Sequence, residues 1–156
     1  MTPIRTESRT SIAASVPEVW AYVCDVGRWP EWAPTVLECR VHGETPLRSG
    51  SRVDQVAKGI LWTTRNRSQE ATNVDAPNSV AFAGPMGTSL ARWGMELEPT
   101  DDTQTEATMW IEVDLGGIMR AIPSGMLRGR IQRVSDCEMA AIKTAVESAA
   151  PADAVS

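Results

Sequence analysis

Residues 89–98 and 105–115 constrain this chain more than any other stretch, because both alternate strictly between apolar and polar side chains. In the first run Ala91, Trp93, Met95 and Leu97 share one phase, against Arg92, Glu96 and Glu98 on the other. In the second, Ala107, Met109, Ile111 and Val113 oppose Glu106, Thr108, Trp110, Glu112 and Asp114. Strand side chains alternate faces, so two such runs joined by residues 99–103 predict an antiparallel pair with one dry or cavity-lining face. That face needs a cover. Leu127, Ile131, Val134, Ile142 and Ala145 recur at helical spacing, on a stripe that passes Glu138. A helix from about Ser124 to about Ala149 is therefore expected to pack on the sheet.

The rest of the chain fits the same plan. Ser15 precedes Val16, Val19, Trp20, Val23 and Cys24 at helical spacing, with Glu18 placed for a capping box and Pro17 in the first turn. Gly27 ends that helix, and Pro30 and Pro34 leave room for a short second one. Runs at 35–43, 51–58, 60–74 and 80–83 read as further strands, separated by turns at 44–50, 59, 76–79 and 84–87. Residues 2–12 are mostly polar with scattered apolar positions.

At 156 residues the chain is long enough for one domain over 1–150, with 151–156 as a flexible tail. A net charge of -5 argues against a nucleic-acid partner, whose phosphates need a basic face. No apolar stretch is long enough to span a membrane, and the first fifteen residues are too polar for a signal peptide. Cys24, Cys39 and Cys137 have no metal-ligand spacing and fit reduced thiols, so a cytoplasmic protein is expected. No motif for a metal, a nucleotide or a nucleophilic serine is present, so no cofactor is expected. His42, the one histidine, shares its phase with Glu38 and Arg40 and reads as a surface residue. A monomer or weak homodimer is expected, since no coiled-coil pattern appears.

Residues 60–74 leave two readings open. Trp62 is followed in phase by Thr64, Asn66 and Ser68, whereas Leu61, Arg65, Arg67 and Gln69 take the other phase. With the Trp62 phase inward, a row of uncharged polar groups faces the interior, joined by Gln55 from the neighbouring strand. Such a row suits a mostly apolar pocket with a few polar handles. A bulge shifts the phase and brings Arg65 inside instead. Six tryptophans and seven methionines beside one Phe and one Tyr supply bulky, polarisable lining.

Several motifs resemble the SRPBCC, or START-like, superfamily and its polyketide cyclase/dehydrase-like group. They are Ala14-Ser15-Val16-Pro17-Glu18-Val19-Trp20, Asp25-Val26-Gly27-Arg28-Trp29-Pro30-Glu31-Trp32, Gly50-Ser51-Arg52-Val53, Trp93-Gly94-Met95-Glu96-Leu97-Glu98-Pro99 and Ile142-Lys143. The resemblance implies an α+β helix-grip fold. In it a curved seven-stranded antiparallel sheet wraps a long C-terminal helix, and two short helices follow the first strand. It also implies a cavity that holds a hydrophobic or polycyclic small molecule, such as a polyketide-type intermediate undergoing cyclisation or dehydration. The alternatives are a non-catalytic lipid or metabolite carrier and a protein-interaction module. Expected lining residues are Trp29, Trp32, Gln55, Trp62, Met86, Trp93, Met95, Met109 and Met119. Arg65, Asn66 and Thr64 are the expected catalytic groups, Arg65 as a cation for an enolate and the others as orienting hydrogen-bond partners.

Overall fold

A computed structural model describes residues 3–43, 46–58 and 63–155. Seven strands form one antiparallel sheet in the order β1-β7-β6-β5-β4-β3-β2. β1 is Ile4–Ile12, β2 Val36–His42, β3 Arg52–Lys58, β4 Thr64–Asp75, β5 Ser79–Met86, β6 Ser89–Asp101 and β7 Gln104–Asp114. Helix α1 (Val16–Val23), a 3-10 turn (Val26–Arg28) and α2 (Trp29–Trp32) lie between β1 and β2. A second 3-10 turn (Gly117–Ala121) leads into the long helix α3, Ser124–Val155, which runs past its expected end near Ala149.

Local chemistry accounts for the helix starts. Ser15 accepts from the Glu18 amide while the Glu18 carboxylate accepts from the Ser15 amide, so the predicted capping box is formed at α1. Val16, Val19, Tyr22 and Val23 turn inward from it. α2 is confined to four residues by Pro30 and Pro34, and buries both Trp29 and Trp32.

β1 was legible from the resemblance but not from its own residues, because its inward positions are partly small and polar. Ile4, Thr6, Ser8 and Ile12 are buried in alternation with exposed neighbours. Ser8 satisfies its hydroxyl by donating to the Asp136 carboxylate of α3 at 2.7 Å. β5 continues through Gly84-Pro85-Met86, where a turn was expected, and turns instead at Gly87, with φ at 66°. Pro85 is tolerated because β4 pairs with β5 only as far as Ala83, leaving no partner for the missing N–H.

The helical stripe is also corrected in detail. Ser135, Met139, Ile142 and Val146 are the buried positions of α3, whereas Val134 is 38% exposed. Stepping mostly by four keeps 131, 135, 139, 142 and 146 on one side of a 3.6-residue helix, and Val134 falls off that line. α3 lies mainly against β1.

Candidate functional site

Sheet register sorts every strand residue onto the concave face, towards α3, or the convex face, because residues directly opposite each other in an antiparallel pair share a face. One concave row runs Thr6, Ile111, Trp93, Phe82, Ala71 across β1, β7, β6, β5 and β4. Ser8, Met109, Met95 and Val80 form the next row. This second row is closed: Met109 and Met95 are each 1% exposed. Its Met109, Met95 and Val80 belong to the main core with Leu97, Ala107, Val19 and Ile142.

On the other side of the Trp93 row the concave face opens. Ala91, Trp93, Ile111, Gly84, Met86, Gln69 and Arg67 point inward by register yet stay half-exposed. Leu127 and Ile131 of α3 and Met119 of the preceding turn are half-exposed too, packed on the small buried cluster Ile4, Val113 and Leu115. By register and partial exposure, these residues mark an open, cleft-like stretch of the concave face beside the first turns of α3. Its wall is mostly apolar, with Gln69 and Arg67 as polar handles, which is the make-up of small-molecule sites.

An aromatic cluster forms the inner end. Phe82 and Trp93 stack with centroids 4.8 Å apart. Trp29 meets Phe82 edge-on at 5.1 Å and Trp93 at 5.2 Å, and Trp32 lies 6.2 Å from Trp93. Trp29 donates its indole N–H to the Val23 carbonyl at 2.8 Å, and Trp93 donates to Gln69 Oε1 at 2.7 Å. The Trp32 N–H is buried without a partner among the described residues, as are the hydroxyls of Thr6 and Ser135.

The expected lining therefore divides. Trp93, Met86 and Met119 border the cleft, while Trp29, Trp32, Met95, Met109 and Gln55 are buried behind it. Gln55, 5% exposed, hydrogen-bonds Cys39 across the β2–β3 pair. Trp62 lies outside the described residues.

The inward Trp62 phase for Thr64 and Asn66 is corrected by the pairing of β3 with β4. Ala57, Gln55 and Val53 are inward and buried, and they stand opposite Arg65, Arg67 and Gln69. Arg65 and Arg67 thus take the concave side, and Thr64, Asn66 and Ser68 the convex one. Arg65, Asn66 and Thr64 do not converge on one centre. The register shift in β4 lies between Ala71 and Asn73, beyond Arg65, so it is not the bulge expected to turn Arg65 inward.

Sequence reading passed over Glu138 as one residue on a stripe. It sits on the same flank of α3 as Leu127 and Ile131, two turns further in. No hydrogen bond or ion pair reaches its carboxyl among the described residues, and burial pushes its pKa up to about 7. The available signal was a carboxylate at an apolar position of a long amphipathic helix.

Arg40, His42, Arg52, Asp54, Arg67 and Ser68 line a groove of about 570 Å³ across β2, β3 and β4. Asp54 accepts from Ser68 at 2.5 Å and from Arg52 at 3.1 Å, and His42 Nδ1 is 3.6 Å away. The Ser68 hydrogen bond, followed by those of Arg52, holds Asp54 below the usual carboxylate range. Asp54 sits between the serine and the histidine, so the imidazole does not reach the Ser68 hydroxyl, and the carboxylate that does is held low and is a weak base for activating it. His42 stays on the surface with a side chain 70% exposed. Cys24 and Cys39 are pushed up to about 12 by burial, which makes them poor nucleophiles. No group of three or more His, Cys, Asp or Glu side chains among the described residues is placed to hold a metal.

A curved seven-stranded antiparallel sheet closed by one long C-terminal helix defines a START-like helix-grip protein. The chain belongs to the polyketide cyclase/dehydrase and lipid transport family, whose model matches residues 3–147. Among solved structures it is similar to a START superfamily protein from Mycobacterium smegmatis at 14% identity, covering 92% of this chain and 97% of that one with a TM-score of 0.76. The ZhuI aromatase/cyclase from Streptomyces sp. R1128 is similar at 13% identity, with 92% and 93% covered and a TM-score of 0.73. The di-domain ARO/CYC StfQ of the steffimycin biosynthetic pathway matches at 13% identity and a TM-score of 0.77, over 96% of this chain and 52% of that one. At these identities the likeness is one of fold. No protein of curated function matches the chain.

Proposed function

We propose that this protein binds a hydrophobic small molecule, elongated or polycyclic and bearing carbonyl or hydroxyl groups, in the cleft between the concave sheet face and α3. The observation that carries the reading is the half-exposed inward wall of Ala91, Trp93, Ile111, Met86, Leu127 and Ile131. Leaving so much apolar surface short of full burial forgoes about 25 cal/mol per Å2, which a bound apolar ligand recovers. Trp93 offers a flat face for a ring system, Gln69 and Arg67 meet oxygens, and Arg65 extends the cationic edge towards solvent.

Catalysis is the second reading, and Glu138 is what favours it. A carboxyl that titrates near neutrality inside an apolar cleft can accept a proton from a carbon acid or deliver one to a leaving hydroxyl, as cyclisation and dehydration need. Arg67 on the facing sheet supplies a cation for the oxygen that gains charge. A carrier needs neither group.

Solvent extraction of the purified protein and mass spectrometry of the released compound is the direct test, followed by tryptophan quenching on adding it back. Trp93→Ala is expected to weaken binding about tenfold or more, and Trp110→Ala, on the convex face, to leave it unchanged. Equal losses from the two variants contradict the cleft. Conversion of the compound by wild type but not by Glu138→Gln, with binding intact, separates enzyme from carrier.

A further inference from the structure

The rim of the cleft carries a surface that ligand binding does not explain. Residues 116–135 hold four arginines, Arg120, Arg128, Arg130 and Arg133, and no acidic residue, in a chain with fifteen basic and twenty acidic residues overall. Two of the most exposed large apolar side chains described sit in the same segment: Ile118 is 84% exposed and Met126 68%. Their neighbours Met119 and Leu127 are both anchored on the Ile4, Val113, Leu115 cluster, so Ile118 and Met126 stand out from one edge of the molecule.

Helical geometry extends the patch. At about 100° per residue, Met126, Arg130, Arg133 and Val134 fall within one arc of roughly 100° on α3. All four are exposed. Arg120 is anchored at the Leu115 carbonyl beside Ile118, whereas Arg128, about 200° round α3 from Met126, is turned towards β1 and donates to the Arg5 carbonyl. Backbone geometry holds the Ile118 tip out as well. Gly117 has φ at 57°, and a Cβ on Gly116 would lie within 1.9 Å of the Thr88 carbonyl oxygen, so the turn is braced against the β5–β6 hairpin.

Apolar tips beside arginines, on a molecule whose remaining surface is acidic, match an interface with an anionic layer that has an apolar interior. We propose that this rim docks on an anionic lipid bilayer. Ile118 and Met126 enter the headgroup–acyl boundary, and Arg120, Arg130 and Arg133 meet phosphates. The acidic remainder of the chain is repelled by the same surface, which orients the molecule with its cleft mouth towards the lipid. The proposal rests on the rim alone and stands whether or not the cleft converts its ligand.

The test is flotation of the full chain with vesicles of phosphatidylcholine and of equimolar phosphatidylcholine and phosphatidylglycerol, with no ligand added. Binding to the anionic vesicles is expected to exceed that to neutral ones by about tenfold or more and to fall with added salt. Arg130→Glu with Arg133→Glu is expected to remove the preference, and Ile118→Ser with Met126→Ser to reduce anionic binding about tenfold. Circular dichroism confirms that each variant is folded, and Leu37→Ser, exposed on β2, is expected to bind like wild type. Failure to bind either vesicle overturns the proposal, as does equal loss in Leu37→Ser. A dimer in sedimentation that Ile118→Ser dissociates, without vesicle binding, assigns the rim to a second copy of the chain and overturns it too.

Discussion

The indole N–H of Trp93 on β6 donates to the side-chain oxygen of Gln69 on β4 at 2.7 Å, passing over β5 between them. Gly84 of β5 makes the passage possible: a Cβ there would stand 2.5 Å from the Ser68 carbonyl oxygen and 3.1 Å from Gln69 Cγ. This bridge sets the Trp93 ring against Phe82 and orients the amide that faces the cleft.

Breaking the bridge has a measurable cost. Trp93→Phe and Gln69→Leu should each destabilise by about 1–2 kcal/mol, and the double variant by less than their sum, with a coupling of about 1 kcal/mol in urea unfolding. Strict additivity shows that the two side chains are not coupled.

Gly94 pairs opposite Trp110 on the convex face, and a Cβ at Gly94 would come within 2.7 Å of the indole. Gly94→Ala is expected to lose about 1–3 kcal/mol by overpacking. In a Trp110→Ala background the same change should be close to neutral, and an undiminished cost there points to backbone strain instead of the ring.

Glu138 makes stability depend on pH in a definite direction. Its folded pKa is raised from 4.5 to about 7, so the folded state binds the proton more tightly than the unfolded one. The favourable contribution is fully present below the unfolded pKa and is lost as pH rises towards and through about 7, a total of about 3 kcal/mol. Urea midpoints at about pH 5 and about pH 8 should differ less in Glu138→Gln than in wild type. An identical pH dependence in both proteins excludes this carboxyl as the source.

Thiol labelling separates the cysteines. Cys137 is exposed, whereas Cys24 and Cys39 are partly covered and pushed up to about 12. One thiol should react rapidly with dithionitrobenzoate in the native protein and all three after denaturation. Rapid reaction of more than one native thiol contradicts the described packing.

Much of the fold could be read before the structure. β6 and β7 have strong contrast between their two faces, and Ser15 with Glu18 announces α1. Of the expected lining, Trp93, Met86 and Met119 are inward or rim residues that stay partly exposed. Trp29 and Trp32 reach the same aromatic cluster from behind, filling space that a lining was expected to leave open. Glu138 escaped notice because a single carboxylate on an otherwise apolar stripe looks like any solvated helix residue until its burial is known.

By itself the sequence determined the elements with local contrast: alternation in β6 and β7, the capping box, the prolines that keep α2 short, and the helical period of α3. The tertiary structure alone decided which side of β4 faces inward. Its residues 64–69 are polar on both phases, so neither side is favoured by transfer from water, and the choice passed to the pairing with β3, where Val53, Gln55 and Ala57 are committed to the interior. The same holds for β1, whose inward Thr6 and Ser8 are covered because α3 lies over them. Periodicity reports a contrast between water and core, and where a strand has no such contrast its neighbours supply the answer.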